Sequence, residues 1–263
     1  MRVGLMQMIV SENKDDNLNK MIFDIKEAAK AGANLIVFPE FSNYLARLDV
    51  SKRKLYEFSD WEESEFIKKI ETASLQNNVN VVFGIYERGD NSNEVYSSAF
   101  VINEKGKMYK KYRKSHLFEA LGFSERTLLM PSSDRPITFS ISGFNFGIII
   151  CNEIRFPELT RNLALKGVDA IIAISAWYKG YNKEEQWLTL SKTRALENTV
   201  YVLTSNQIGN AFTGITVAVD PLGIIFSRAT EEEGMLLVDI SRERIDRARK
   251  AFPLLKQRRP ELY

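Results

Sequence analysis

The order of patterns along the chain predicts an α/β fold with mixed sheets in one domain spanning residues 1–263. Short β-branched apolar runs alternate with amphipathic helical stretches. No internal repeat, low-complexity segment or Pro/Gly/Ser-rich linker marks a boundary. With 44% hydrophobic and 27% charged residues, the chain has ample material for a core. A net charge of +2 argues against nucleic acid or an anionic membrane as the main partner. One cysteine and one histidine exclude an internal disulfide and a Cys/His zinc cluster. The lack of disulfides fits a reducing, cytoplasmic setting, and no segment reaches the ~20 apolar residues of a membrane span.

The elements follow in order. Met1–Val10 has an early positive charge and an apolar run, but Gln7 interrupts it and no small-residue cleavage site follows. It is therefore read as a first strand, Val3–Val10, and not a signal peptide. Leu18, Met21, Ile22, Ile25, Ala28 and Ala29 fall at helical spacing, with Asp15 and Asp16 in the first turn and Gly32 as the stop. Asn34–Phe38 is an apolar strand ending in Pro39-Glu40, so this β–α–β order predicts parallel pairing. Residues 41–60 read as irregular loop, Trp61–Gln76 as a helix and Asn80–Tyr86 as a strand. A hairpin joins Val95–Ile102 to Lys107–Tyr112, and residues 115–135 have the look of a long functional loop. Strands Pro136–Ile141 and Phe144–Ile150 lead to Cys151. Pro157–Lys166 forms a helix opened by proline and stopped by Gly167. Strand Ala170–Ser175, helix Glu184–Asn198 and strand Val200–Ser205 come next. A β-rich end (Gly214–Val219, Gly223–Phe226, Met235–Asp239) and a charged helix, Arg242–Lys250, complete the chain.

In open α/β sheets ligands bind beyond the carboxyl ends of strands. Glu40, Cys151 and Trp177 stand at such ends, and Lys114 follows the second hairpin strand. A thiol is a poor nucleophile at its free pKa of ~8.5 and needs a base or a nearby cation. Glu40 and Lys114 are candidates for the two. The bland alternatives are a small core cysteine, a loop-end carboxylate, and a solvated strand face for Lys107, Lys110 and Lys111. His116 lies two residues past Lys114, so a His116–Cys151 dyad is a rival on these grounds. The Lys107–Lys114 run, with Tyr109 and Tyr112 interleaved, is a weak nucleic-acid signal on a near-neutral chain. Phosphate cradles fail. No two glycines are separated by a single residue, and Gly84–Gly89 has P-loop spacing but is followed by Asp90.

Four segments then fall together: NLIVFPEF (Asn34–Phe41), YRKSHLF (Tyr112–Phe118), GFSE (Gly122–Glu125) and IIICNEIRFPEL (Ile148–Leu159). With RALEN (Arg194–Asn198), their order and spacing resemble the nitrilase (carbon–nitrogen hydrolase) superfamily over essentially the full length, in its amidase or omega-amidase-like branch. The resemblance implies a four-layer α-β-β-α sandwich and a homo-oligomer, commonly a homodimer joined through the sheet-flanking helices, or a higher homo-oligomer. Carried over by position, Cys151 is the nucleophile, Glu40 the general base, Lys114 the cation and Glu125 the supporting carboxylate. The backbone N–H of Asn152 serves the oxyanion, and His116 becomes a supporting loop residue. One departure stands out: Asn152-Glu153 occupies the place where the family more often has an aromatic residue followed by Asp.

The implied chemistry is hydrolysis of a small linear amide by water through a Cys thioester, with ammonia released and no metal or organic cofactor. Phe41, Tyr44, Trp177 and Tyr178 are candidate pocket residues, with lid or core packing as the alternative. Arg155 is a candidate partner for a substrate carboxylate, or else a structural partner of Glu153 and Glu158. The second Glu is expected to raise the apparent pKa of the carboxylate pair. The absence of membrane spans or an appended synthetase domain argues against the acyltransferase and glutamine-fed branches. N-carbamoyl amino acid, ureide or nitrile hydrolysis is the alternative chemistry. A catalytically silent binding or scaffold protein is the alternative class.

Overall fold

The computed structural model describes residues 1–47, 49–209 and 211–262. Strand β1 (Arg2–Gln7), helix α1 (Lys14–Lys30) and strand β2 (Leu35–Val37) open the chain. Next come α2 (Lys52–Phe58), α3 (Glu65–Asn77), β3 (Asn80–Arg88), β4 (Val95–Ile102) and β5 (Met108–Arg113). A small hairpin, β6 (Glu119–Ala120) and β7 (Phe123–Ser124), precedes β8 (Thr138–Ile141) and β9 (Phe144–Ile150). The second half continues with α4 (Pro157–Leu165), β10 (Ala170–Ser175), α5 (Lys183–Asn198), β11 (Tyr201–Asn206) and β12 (Val217–Val219). Strands β13 (Ile225–Arg228) and β14 (Gly234–Asp239) and helix α6 (Arg242–Ala251) follow.

Two six-stranded sheets repeat one plan, with orders β14-β1-β2-β3-β4-β5 and β13-β12-β11-β10-β9-β8. In each, three parallel strands (β1–β2–β3 and β9–β10–β11) are flanked by antiparallel neighbours. The pleat sorts side chains between layers. Val3, Leu5, Leu35, Val37 and Val82 pack with Ile148, Ile150, Ile172 and Ile174 between the sheets. Met6, Ile36, Phe38, Val81 and Phe83 instead meet Leu18, Met21 and Ile25 of α1 and Phe66, Ile67 and Ile70 of α3. Leu163 of α4 and Trp187 and Ala195 of α5 cover the outer face of the second sheet. Gly147 lets α4 lie close, since a Cβ there would sit 2.8 Å from Leu163 methyls. The result is an α-β-β-α sandwich whose central strands, buried on both faces, read as unbroken apolar runs.

The differences from the sequence reading have local causes. Residues 41–60 are not all loop, because α2 lies within them; Leu55 is its one buried residue, too little apolar repeat to show a period. Residues 115–135 hold the β6–β7 hairpin and a 3-10 turn at Glu125–Thr127, all too short for a pattern. Helix α3 begins at Glu65, where the Ser64 hydroxyl caps the Ile67 N–H, and Trp61 lies outside it under the Arg88 guanidinium at 4.4 Å. The first strand stops at Gln7, where Met8 turns to bridge Gln207 of the other sheet. Among the described residues, no helix is long and apolar enough to cross a membrane.

One carboxyl on α1 makes the fold pH-sensitive. Burial, then the charge of Glu233, pushes Asp24 up to about 6, with Lys20 opposing. The unfolded value is about 3.9, so the cost is absent below about pH 4, grows as pH rises to about 6, and persists above. With partial exposure screening the effect, Asp24→Asn is expected to stabilise by about 1 kcal/mol at pH 7.5 and by nearly nothing at pH 4. Urea denaturation at the two pH values checks this, and an equal gain at both would contradict it.

Candidate active site

The parallel strands of both sheets end on one edge, and four segments meet there. Glu40 follows β2, Cys151 follows β9, Ser175 ends β10 with Ala176 next, and Gln207 follows β11. Glu40 is held by its backbone before its side chain is considered. The Gly84 N–H donates to the Pro39 carbonyl at 3.0 Å, and the Gln207 side chain donates to the Glu40 carbonyl at 2.7 Å. A Cβ on Gly84 would lie 2.5 Å from the Glu40 Cα, so only glycine permits this approach.

The charged groups converge as the strand ends predict. The Lys114 ammonium donates to Glu40 Oε1 at 2.9 Å and to Glu125 Oε1 and Oε2 at 3.0 and 2.9 Å. Ser97 Oγ and the Ala176 N–H complete the Glu40 carboxylate, at 2.7 and 3.1 Å. The Phe118 N–H donates to Glu125 Oε2 at 2.7 Å, fixing the loop carboxylate. All three ionisable side chains are buried. Burial works against the Lys114 charge, but Glu125, Glu40 and Cys151 outweigh it and hold its pKa well above the ordinary lysine value. Burial raises the Glu125 pKa; Lys114 opposes the rise and the charge of Glu40 adds to it. At Glu125 burial, and not the neighbouring acid, is the first cause of the rise.

Cys151 sits at a sharp turn with φ of +49°, in the left-handed region that bulky residues avoid. A 3-10 turn, Cys151–Arg155, separates it from α4, which opens at Pro157. Burial, then the charge of Glu40, pushes the thiol up to about 12, with Lys114 acting the other way. Glu153 ties this turn to the segment after β5. Its Oε2 accepts from the Ile150 N–H at 2.8 Å, and its Oε1 from the Ser115 N–H at 2.8 Å and the Tyr112 hydroxyl at 2.6 Å. The residue that departs from the family pattern thus fastens the cysteine turn to the strand that delivers Lys114.

His116 is directed elsewhere than a dyad with Cys151 requires. Its Nδ1 lies 2.8 Å from Ser115 Oγ and its ring lies tilted against Phe156 with centroids 4.1 Å apart. The aromatic candidates divide. Tyr178 and Phe41 face a small space of about 30 Å³ that also touches Glu125 and Tyr86. Tyr44 is stacked on Phe58 and Trp177 lies tilted against Trp187, and both side chains are buried. Tyr178 also lines an apolar groove of about 550 Å³ with Leu45, Phe123 and Phe212.

On the other side of the β6–β7 hairpin is a cavity of about 700 Å³ walled by Asn152, Arg155, Lys183, Phe118, His116 and Gln186. Arg155 donates to Gln186 Oε1 at 2.9 Å and lies 4.5 Å from the Trp177 ring, without pairing to Glu153 or Glu158. The Lys183 ammonium lies 4.2 Å from the Trp177 ring and 4.7 Å from that of Phe118. Among the described residues neither cation has a carboxylate partner. Burial, then repulsion from Arg155, lowers the Lys183 pKa. Sequence reasoning passed over Lys183, which lies in a polar helix start that reads as solvated. It also passed over Ser97 and Gly84, whose roles arise only once the strands are paired.

Sandwich and strand-end cluster together mark a class of hydrolases for carbon–nitrogen bonds. Residues 2–250 match the carbon–nitrogen hydrolase family model, and the chain belongs to that family. It is similar to omega-amidase NIT2 of Mus musculus, 30% identical over 275 residues that span 100% of this chain and 96% of the relative. It is also similar to the deaminated glutathione amidase of Escherichia coli O157:H7, 27% identical over 233 residues, or 89% of this chain and 87% of the relative. In three dimensions it resembles a mutant of the Nesterenkonia AN1 amidase from the nitrilase superfamily. The TM-score is 0.82 at 22% identity, covering 100% of this chain and 95% of the other.

Proposed function

We propose that the protein hydrolyses a small linear amide that carries a carboxylate, releasing ammonia and a dicarboxylic acid through a thioester on Cys151. The observation behind the choice of substrate is the pair Arg155 and Lys183, two cations without carboxylate partners on the wall that also presents Asn152. A buried cation lacking a counter-charge is costly. A substrate carboxylate paired with the Lys183 ammonium and the Arg155 guanidinium removes that cost.

In this reading Glu40 takes the Cys151 proton while Lys114 favours the anion. The sulfur attacks the amide carbon. The oxyanion is met by Lys114 and by the Asn152 N–H, a first-turn amide with no acceptor inside its own turn. Protonated Glu40 then gives its proton to departing ammonia and afterwards activates water against the thioester. Glu125 keeps Lys114 charged and aimed. Proton count is preserved, since each proton Glu40 accepts is returned within the same half-reaction or to the regenerated thiol.

Ammonia release should be screened across dicarboxylate monoamides, neutral aliphatic amides, carbamoyl amino acids and nitriles. Monoamides such as succinamate are expected to be preferred. Lys183→Met should lower kcat/KM on them by about 10- to 100-fold, the worth of one charge-assisted contact, while sparing neutral amides. Equal turnover of neutral amides and monoamides, with Lys183→Met affecting neither selectively, would overturn the substrate assignment. Preferred turnover of carbamoyl amino acids would move it to the ureide chemistry.

A further inference from the structure

We propose that Ser175 is a further catalytic residue, whose hydroxyl donates a hydrogen bond to the Cys151 thiolate. The assignment rests on Cys151 being the nucleophile. Strands β9 and β10 pair in parallel up to Ile150 opposite Ile174, so Cys151, which opens the turn after β9, and Ser175, the last residue of β10, follow from adjacent strand ends. The backbone around Ser175 is fully used. Its carbonyl accepts from the Gln207 N–H at 2.9 Å, and the following N–H, that of Ala176, donates to Glu40 Oε2 at 3.1 Å. The residue is fixed and wholly buried. Apart from the Cys151 sulfur, its hydroxyl has no hydrogen-bond partner among the described residues.

Leaving a buried hydroxyl without a partner costs about 1–3 kcal/mol, and such atoms are uncommon enough to need a reason. The neighbouring sulfur supplies one. A neutral thiol is a weak acceptor, whereas a thiolate is a strong one, so the bond gains its strength when the proton leaves for Glu40. Consistent with this placement, Ser175 acts on the thiol to favour the anion, against the burial that disfavours it. The resting enzyme holds a buried donor beside the atom where charge develops, committed to no other acceptor, the arrangement by which preorganised dipoles lower barriers. No bond to Ser175 forms or breaks. The thiol proton goes to Glu40, the electron pair stays on sulfur, and Ser175 keeps its own proton throughout.

The test is Ser175→Ala, a substitution that removes one oxygen without adding volume. Iodoacetamide alkylation of Cys151 is followed as a function of pH in the full-length protein, with thermal unfolding measured alongside. The variant is expected to alkylate about tenfold more slowly near pH 7.5 and to reach the parent rate only at higher pH. The ammonia-releasing kcat/KM should fall by a similar factor. Its melting temperature should be unchanged or higher, because an unpaired buried hydroxyl has gone. A superimposable alkylation profile, or a loss of stability with unchanged reactivity, would assign Ser175 to packing and overturn the proposal. A parent Cys151 that stays inert until unfolding would instead remove the nucleophile reading itself, and the Ser175 assignment with it.

Discussion

Replacing Lys114 with methionine should stop ammonia release and also destabilise the folded protein by about 3–5 kcal/mol near pH 7.5. The ammonium is 0% exposed and forms three hydrogen bonds with two buried carboxylates. Without it, Glu40 and Glu125 are like charges sealed in a low-dielectric space, and at least one must bind a proton to remain there. The penalty should therefore shrink as pH falls toward 5, where protonating them costs less. Restoring neutrality with Glu40→Gln and Glu125→Gln in the same chain should recover most of the stability and none of the activity. Urea denaturation of the single and triple variants at pH 7.5 and 5 measures this. A Lys114→Met protein as stable as the parent at both pH values would mean that the three groups do not form one charged unit.

The framework was legible in the chain because the fold buries its central strands on both faces. Ile148–Ile150 and Ala170–Ser175 have no solvent side, so they read as continuous apolar runs, and helices α1 and α3 carry the complementary stripes. Helix α2 and the β6–β7 hairpin escaped notice for the converse reason. A seven-residue helix with one buried side chain and strands of two residues have no period to detect. Strand ends pointed to Glu40, Cys151 and the Lys114 rim, and the structure brings the Lys114 ammonium onto Glu40. Residue patterns alone left Cys–His and Cys–Glu–Lys pairings open, and the family resemblance chose between them. The structure places His116 against Ser115 and Phe156, in keeping with that choice.

What stayed hidden depends on contacts between distant segments. Lys183 reads as a solvated helix start, but the rings of Phe118 and Trp177 enclose it. Ser175 looks like the polar end of an apolar strand, and only the β9–β10 register sets it beside sulfur. Glu153 was visible as a departure from the family pattern, but its reach to Ile150 and Ser115 could not be read from one segment. Of the aromatic residues at strand ends, Phe41 and Tyr178 face open space while Tyr44 and Trp177 pack inward. Side-chain direction after an irregular turn carries no sequence period.

Glu40→Gln should cost about 10²–10⁴-fold in ammonia release, the usual worth of a positioned general base. A glutamine keeps the size of the side chain but neither accepts the thiol proton nor activates water, so attack on the thioester is slowed as well as its formation. The intermediate then outlives its normal turnover. Mixing the parent and the Glu40→Gln protein with succinamate, quenching in acid and weighing the intact chains tests the whole scheme at its covalent step. The expected result is an added mass equal to the amide less ammonia, mapped to the peptide containing Cys151 and longer-lived in the variant. Turnover of the same amide by a Cys151→Ala protein at the parent rate, with the added mass found on another residue or on none, would contradict it.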